Sequence, residues 1–273
     1  MTSSFTETNR QNWDERVAIH LRDSGAIYPI EAFRAGGDTL MPIEAGEIGD
    51  VSGKRIAHLQ CHFGLDSLSL ARRGADVTGL DFSPSAIEAA KTLSAETGIA
   101  ATFVEGDVYK ARAVLSGDFD MVYVTWGTII WLPDIRGWAQ VVASLLAPGG
   151  RLYLAEGHPF LRQLEEEDGR LVVTYDWRTE TDKPLAFDEA ETYAGDGTEL
   201  SAKRSYEWIH SLSDVVSSVI DAGLTLEFLH EHDALPWPHV PMMKQGEDGL
   251  YRFPEGVVAP PLTFSLSAVK IAG

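Results

Sequence analysis

The chain has 273 residues and a single cysteine, Cys61, so no intrachain disulfide can form. A lone thiol suits a reducing compartment, which makes the cytoplasm the expected location. Cationic residues are scarce: 22 Lys and Arg stand against 41 Asp and Glu, a net charge of -19. With no Lys/Arg cluster to offset that balance, a phosphate backbone would be repelled and nucleic acid is not an expected partner. No run of 18 apolar residues occurs, and Met1 to Arg10 is polar, which argues against a membrane span and a signal peptide. Apolar side chains are nevertheless plentiful. At 44% hydrophobic, with seven Trp, eight Tyr and eleven Phe, the chain has enough to bury a substantial core, which excludes wholesale disorder.

From Val51 to about Gly157 short apolar runs alternate with amphipathic stretches, the pattern of βαβ units on a parallel sheet. Strands are expected at Arg55 to Leu59, Ala75 to Leu80, Ala101 to Val104, Phe119 to Val124 and Arg151 to Glu156. Helices are expected at Leu65 to Arg73, from Ser83-Pro84 to about Thr97, and at Ile135 to Leu146, where Pro148-Gly149-Gly150 ends the run. Ser83 is placed to cap its helix, and Pro84 suits the first turn, where a missing N–H costs nothing.

After Gly157 the alternation stops. The interval to Ser205 reads as hairpin strands, such as Leu171 to Trp177, broken by Asp, Gly and Glu clusters. Between Leu164 and Leu200 there are 12 acidic and 3 basic residues, which reads as a solvated insertion. A helix at Leu212 to Ala222 and strands at Leu224 to Leu229 and Leu262 to Val269 then resume the earlier pattern, separated by a loop rich in aromatics and proline. The expected fold class is therefore α/β, one doubly wound Rossmann-like domain. Its parts are residues 1–50, a core at 51–157, a β insertion at 158–206 after strand five, and a C-terminal helix with the last two strands at 207–273.

In an open parallel sheet, ligands sit beyond the carboxyl ends of the strands, above all after the first one. That turn reads Gln60-Cys61-His62-Phe63-Gly64-Leu65-Asp66, and Asp81 follows 17 residues after Gly64, at the end of the second strand. A carboxylate there offers two oxygens to the two ribose hydroxyls of an adenosine cofactor. The turn lacks the G-x-G-x-x-G that brings backbone N–H groups to a pyrophosphate, and Asp66 would repel a diphosphate. A nicotinamide oxidoreductase is disfavoured on both counts, whereas S-adenosylmethionine carries positive charge and no phosphate, so a nearby carboxylate suits it.

These residues resemble the class I S-adenosylmethionine-dependent methyltransferases. The first motif of that family ends its strand in acidic-x-Gly-x-Gly-x-Gly. Here His58 stands at the acidic position and Gln60, His62 and Gly64 stand at the glycines, a variant similar to one bacterial branch. Asp81-Phe82-Ser83 resembles the ribose-binding motif, and Glu105-Gly106-Asp107-Val108 the adenine-binding one. Phe119-Asp120 to Trp126-Gly127 resembles the fourth motif, and Leu146 to Leu152 the turn before strand five. The resemblance implies cofactor contacts at Gln60, His62, Gly64, Asp81, Phe82, Ser83, Asp107, Val108, Thr125 and Trp126, with S-adenosylhomocysteine as product.

It also implies an N-terminal helical lid over residues 1–50 and an acceptor placed above strands four and five. Trp13, Tyr28, Trp131, Tyr175, His210 and Trp237 then become the expected substrate contacts, with His20 in the lid. Methyl transfer is an in-line displacement that needs alignment and dryness more than a base. If the acceptor must lose a proton, His158, directly after strand five, is the expected catalytic base. Cys61 reads as a small buried side chain, since no activating base can be assigned to it. His230, Glu231, His232 and Asp233 lack a third-ligand pattern, so no metal is expected. The function expected is methylation of a small molecule in an enclosed aromatic pocket. The alternatives are a protein of this fold that binds S-adenosylmethionine without methylating, such as an isomerase or cyclase, and a noncatalytic module that docks a basic partner on its acidic insertion.

Overall fold

A computed structural model describes residues 4–23 and 27–271. The chain begins with helices α1 (Ser4–His20), α2 (Ile30–Arg34) and α3 (Pro42–Glu47). The βαβ region follows as β1 (Arg55–Leu59), α4 (Leu65–Arg72), β2 (Asp76–Asp81), α5 (Pro84–Thr97), β3 (Thr102–Glu105), α6 (Ala111–Val114), β4 (Phe119–Thr125), α7 (Ile135–Leu145) and β5 (Leu146–Gly157). Two hairpins come next, β6 (Leu164–Glu167) with β7 (Arg170–Val173), and β8 (Leu185–Asp188) with β9 (Arg204–Glu207). Helix α8 (Leu212–Asp221), β10 (Thr225–His232), the short pair β11 (Lys244–Gln245) and β12 (Tyr251–Arg252), and β13 (Thr263–Val269) complete the order.

Seven strands form the central sheet in the order β10-β13-β5-β4-β1-β2-β3. β13 runs antiparallel to both of its neighbours, while β1 to β5 are parallel. The order reverses at β1, which pairs with β2 on one side and β4 on the other, so a crevice opens there beyond the carboxyl ends of the strands. The fold is the Rossmann-like sheet that the alternation predicts.

Side chains alternate across β4, as the period of two requires: Met121 and Tyr123 join one apolar cluster and Val122 and Val124 the other. Helix α7 buries Ile135, Trp138, Ala139, Val142 and Leu145, an apolar stripe at helical spacing, and Asp134 caps it by accepting from the Gly137 N–H at 2.9 Å. Ser83 caps α5 in the same way on the Ala86 N–H at 3.1 Å, and Gly98 ends that helix at φ 68°.

Two local expectations need correcting. Pro148-Gly149-Gly150 is not a turn outside the strand but part of β5, where the pairing register slips between Phe119–Leu146 and Met121–Arg151. A side chain at Gly150 would meet the Phe119 carbonyl oxygen at 2.7 Å, so the strands approach closely only because that residue is glycine. The hairpin strand expected from Leu171 to Trp177 stops at Val173. Its two-residue turn, Asp168-Gly169, has φ of 51° and 75°, the left-handed pair that matches strand twist.

Helix α1 packs by a different rule. Beside Val17 and Ile19 it buries Asn9, Asn12, Arg16 and His20. The Asn9 side chain donates to the Tyr206 carbonyl and accepts from the Tyr206 N–H, both at 2.8 Å, so it pairs with β9 as a strand would. Asn12 donates to the Ala202 carbonyl at 2.6 Å, and Glu15 accepts from the Ser201 and Ala202 N–H groups at 2.8 and 3.0 Å. On its other side Asp14 accepts from Ser83 Oγ at 2.7 Å and from the Ser85 N–H at 3.0 Å, at the start of α5. The helix therefore straps the insertion to the sheet.

Candidate active site

At the switch point lies a cavity of about 800 Å³, walled by the loops after β1 to β5, by α1 and by the insertion. The loop after β1 has an unusual backbone: Gln60, His62 and Gly64 all lie in the left-handed region, at φ 57°, 50° and 78°. The alternation of the glycine motif thus survives with side chains at its first two positions. At Gly64 it could not, because a Cβ would sit 2.6 Å from the Phe103 ring. A non-glycine residue pays about 1–2 kcal/mol for that conformation, a cost that concentrates at functional sites. Among the described residues four non-glycine positions have positive φ, and three of them, Gln60, His62 and Trp126, line the cavity.

Asp81 is buried at the end of β2, where Oδ2 accepts from the His62 N–H at 2.8 Å and Oδ1 from the Ser83 N–H at 2.9 Å. Burial raises its carboxyl to about 6 despite those bonds. Asp66, also on the wall, is likewise raised to about 6 by burial while accepting from Thr39 Oγ1 at 2.6 Å. Asp107 holds the Tyr109 N–H at 3.0 Å with one oxygen, and Val108 beside it is buried against the same wall. Gln60 donates from Nε2 to the Thr128 carbonyl at 2.8 Å, while its buried Oε1 has no partner among the described residues.

The loop after β4 is organised by Glu156, at the end of β5. Its carboxylate accepts from the N–H groups of Gly127, Thr128, Ile129 and Gly157 at 2.6, 2.7, 3.1 and 2.8 Å. Burial raises its pKa and the four backbone bonds pull against that rise. Trp126 is fixed by its indole N–H on Glu44 Oε1 at 2.9 Å, and Trp131 by its own on the Gly127 carbonyl at 2.7 Å.

Of the residues expected at the cofactor, Gln60, His62, Gly64, Asp81, Phe82, Asp107, Val108, Thr125 and Trp126 share this cavity. Ser83 does not line it; its hydroxyl is spent on the α5 cap and on Asp14. Trp13, Tyr28, Trp131, Tyr175 and Trp237 also line it. His210 falls outside, with Nε2 2.7 Å from the Leu132 carbonyl.

His158 is likewise absent from the wall. Its Nδ1 accepts from the Phe160 N–H at 3.1 Å, and Nε2 lies 3.1 Å from Glu231 Oε1, so the ring closes the turn that Pro159 begins. Among the described residues no three His, Cys, Asp or Glu side chains gather as a metal site; His230 and His232 reach Glu47 at 2.8 Å and Ser265 at 2.9 Å instead.

The sequence reading missed Arg16 and Thr192. Arg16 is 2% exposed and lines the cavity. Its guanidinium lies 5.3, 5.9 and 5.9 Å from the rings of Trp13, Trp131 and Tyr193, and it bonds Asn12 at 2.7 Å and Glu189 at 3.1 Å. The spacing of Trp13, Arg16 and His20 on one helix could have flagged Arg16. For Thr192, in an acidic loop, no such signal exists.

Residues 56–150 match the family described as methyltransferase domain. Residues 56–150 are thus similar to methyltransferase domains. It is 31% identical over 118 residues to a ubiquinone biosynthesis O-methyltransferase of Cronobacter sakazakii, covering 42% of this chain and 48% of that one. The corresponding match from an Escherichia coli O6:H1 strain is 30% identical over 146 residues, covering 52% and 58%. The chain thus spans about half the length of the curated relatives it matches. The crystal structure of an S-adenosylmethionine-dependent methyltransferase from Mesorhizobium loti superposes with a TM-score of 0.58 at 19% identity, covering 84% of this chain and 96% of that one.

The cavity wall suits S-adenosylmethionine chemically: the buried Gln60 Oε1 has no partner among the described residues, and the carboxylates of Asp66 and Asp81 line the same space as acceptors for ammonium and hydroxyl donors.

Proposed function

We propose that the chain transfers a methyl group from S-adenosylmethionine to a small molecule held in the aromatic part of the same cavity. One observation carries this reading: the cofactor loops and the rings of Trp13, Tyr28, Trp131, Tyr175 and Trp237 line one continuous space of about 800 Å³. Pockets of roughly 300–1,000 Å³ enclose small ligands, and this one has room for two side by side.

In this reading Asp81 accepts the ribose hydroxyls, Asp107 and Val108 meet the adenine, and Gln60 and Asp66 meet the amino-acid end. Bound S-adenosylmethionine supplies an electrophilic methyl group, whose carbon–sulfur pair leaves with sulfur as the acceptor's pair forms the new bond. The protein aligns the two molecules and excludes water between them with Trp13 and Trp131. Because the matched relatives are named for O-methylation, phenolic hydroxyls are the first acceptor class to try.

Two assays test the reading. Thermal unfolding should shift upward with S-adenosylmethionine and S-adenosylhomocysteine and not with NAD, since ligand at about 100 times its dissociation constant adds about 2.7 kcal/mol. Incubation with methyl-labelled S-adenosylmethionine and a panel of mono- and dihydroxybenzoates should then yield labelled product and S-adenosylhomocysteine. Binding without turnover on phenols, amines and thiols would replace methylation with a binding-only role.

A further inference from the structure

Three side chains from three separate segments meet at the seam between α1, the β1 loop and the insertion. His62 Nε2 lies 3.0 Å from His20 Nδ1, and His20 Nε2 lies 2.7 Å from Thr192 Oγ1. His20 is fully buried, whereas the His62 ring lines the cavity and its Nδ1 has no partner among the described residues. The Trp13 ring stands 5.3 Å from that of His62, nearly perpendicular to it, and Trp131 stands 5.2 Å from Trp13, so His62 sits among the rings that wall the cavity.

We propose that His62 Nδ1 takes the proton of the methyl acceptor, and that His20 and Thr192 are positioning residues that set its tautomer and carry the proton away. The inference rests on the methyl-transfer reading. A neutral imidazole has one donor and one acceptor nitrogen, so in a contact between two rings one must donate. With hydrogen on His62 Nε2, His20 accepts at Nδ1 and keeps its own hydrogen on Nε2, directed at Thr192 Oγ1. His62 Nδ1 is then a bare lone pair.

The acceptor's O–H bond breaks as its oxygen gains the methyl group, and the proton goes to His62 Nδ1. His62 passes its Nε2 proton to His20 Nδ1, His20 passes its Nε2 proton to Thr192, and the hydroxyl releases its own to water at the half-buried edge of the insertion. No oxidant or further reactant is needed.

Burial, with Arg16 nearby, holds His20 down to about 3, and burial, His20 and Arg16 hold His62 well below its usual range. Both rings therefore stay neutral at working pH and are not lost to prior protonation. So weak a base is sufficient because the acceptor's proton becomes strongly acidic while the new bond forms.

The test uses the full chain labelled with ¹⁵N-histidine and saturated with S-adenosylhomocysteine, with His62 signals assigned from the His62→Asn spectrum. Imidazole ¹⁵N shifts should place the His62 hydrogen on Nε2, and His20→Asn should abolish that preference. A His62 hydrogen on Nδ1 would overturn the proposal, whatever the acceptor proves to be.

Asparagine tolerates the left-handed backbone at position 62, so His62→Asn keeps the path of the loop, and its S-adenosylmethionine affinity by calorimetry should fall far less than its turnover. Its turnover on any hydroxybenzoate that the wild type methylates should fall by about 10²- to 10⁴-fold. Equal loss of affinity and turnover would make His62 a cofactor-loop residue only. If the wild type methylates no hydroxybenzoate, the phenol reading fails, and the tautomer result still decides the relay.

Discussion

Helix α7 fastens itself to the sheet with Ile135, Trp138, Ala139, Val142 and Leu145, whereas α1 fastens the insertion with Asn9, Asn12, Glu15 and Arg16. The first contact is apolar area removed from water, worth about 25 cal/mol per Å² and indifferent to direction. The second is a set of hydrogen bonds, each worth about 0.5–1.5 kcal/mol net, which hold only in one geometry. The sheet is thus held to its helix by area, and the insertion to α1 by direction. The cofactor loop belongs to the first region by position and to the second by its chemistry, since His62 reaches across to His20.

The largest expected effect tests the first half of that contrast. Trp138→Ala removes a fully buried ring whose indole N–H has no partner among the described residues, so packing alone is lost. Denaturant unfolding should show a loss of about 3–5 kcal/mol. A loss near 1 kcal/mol would mean that the apolar stripe does not dominate.

Next comes Asp81→Ala, which takes the acceptor from the His62 and Ser83 N–H groups and so should lower the melting transition of the free protein, and which should also weaken S-adenosylmethionine by about 1.5–3 kcal/mol, the range for bonds to a charged group. Because the carboxyl titrates at about 6, wild-type affinity should decline as the pH falls through that value, when the acceptor oxygens become a neutral acid. Calorimetry at pH 5 and pH 8 would show it, and the Asp81→Ala variant should lack the dependence.

Asn12→Ala probes the polar strap. It removes the bond to Ala202 and strands Arg16 Nε, at a cost of about 1–3 kcal/mol that should be local. Hydrogen exchange should quicken in α1 and across residues 200–207 while α7 remains protected. Uniform acceleration would erase the distinction between the two regions.

The smallest effect concerns Glu44, a polar group on the apolar side, raised to about 8 by burial and by the charge of Asp66. A carboxyl raised in the folded state stabilises below its unfolded pKa, and that contribution is lost as pH rises toward the folded value. Melting temperature should therefore fall between about pH 5 and pH 8 in the wild type and fall less in Glu44→Gln, which keeps an acceptor for Trp126. Parallel curves would show that Glu44 is already ionised.

The same contrast explains what could be read in the sequence. Strands β1 to β5 and helices α5, α7 and α8 announce themselves through apolar periodicity, and α5 also through Ser83 as its cap. Asp81 and Asp107 were legible because a strand end followed by an acidic residue is a local pattern. The strap was not, because a helix that buries asparagine and arginine has no apolar period to detect. His158 and His210 do not line the cavity, and proximity to a strand end in sequence says nothing about which wall a ring faces. The left-handed backbone at Gln60 and His62 contradicts local preference, and only the surrounding fold enforces it.

The strap has an evolutionary corollary. Asn9, Asn12 and Glu15 address the peptide backbone of residues 201–206 and not its side chains. Substitutions along that segment leave the fastening intact provided its path is kept. A lineage can therefore rewrite the side chains of that segment while inheriting both the scaffold and the means of attaching the insertion to it.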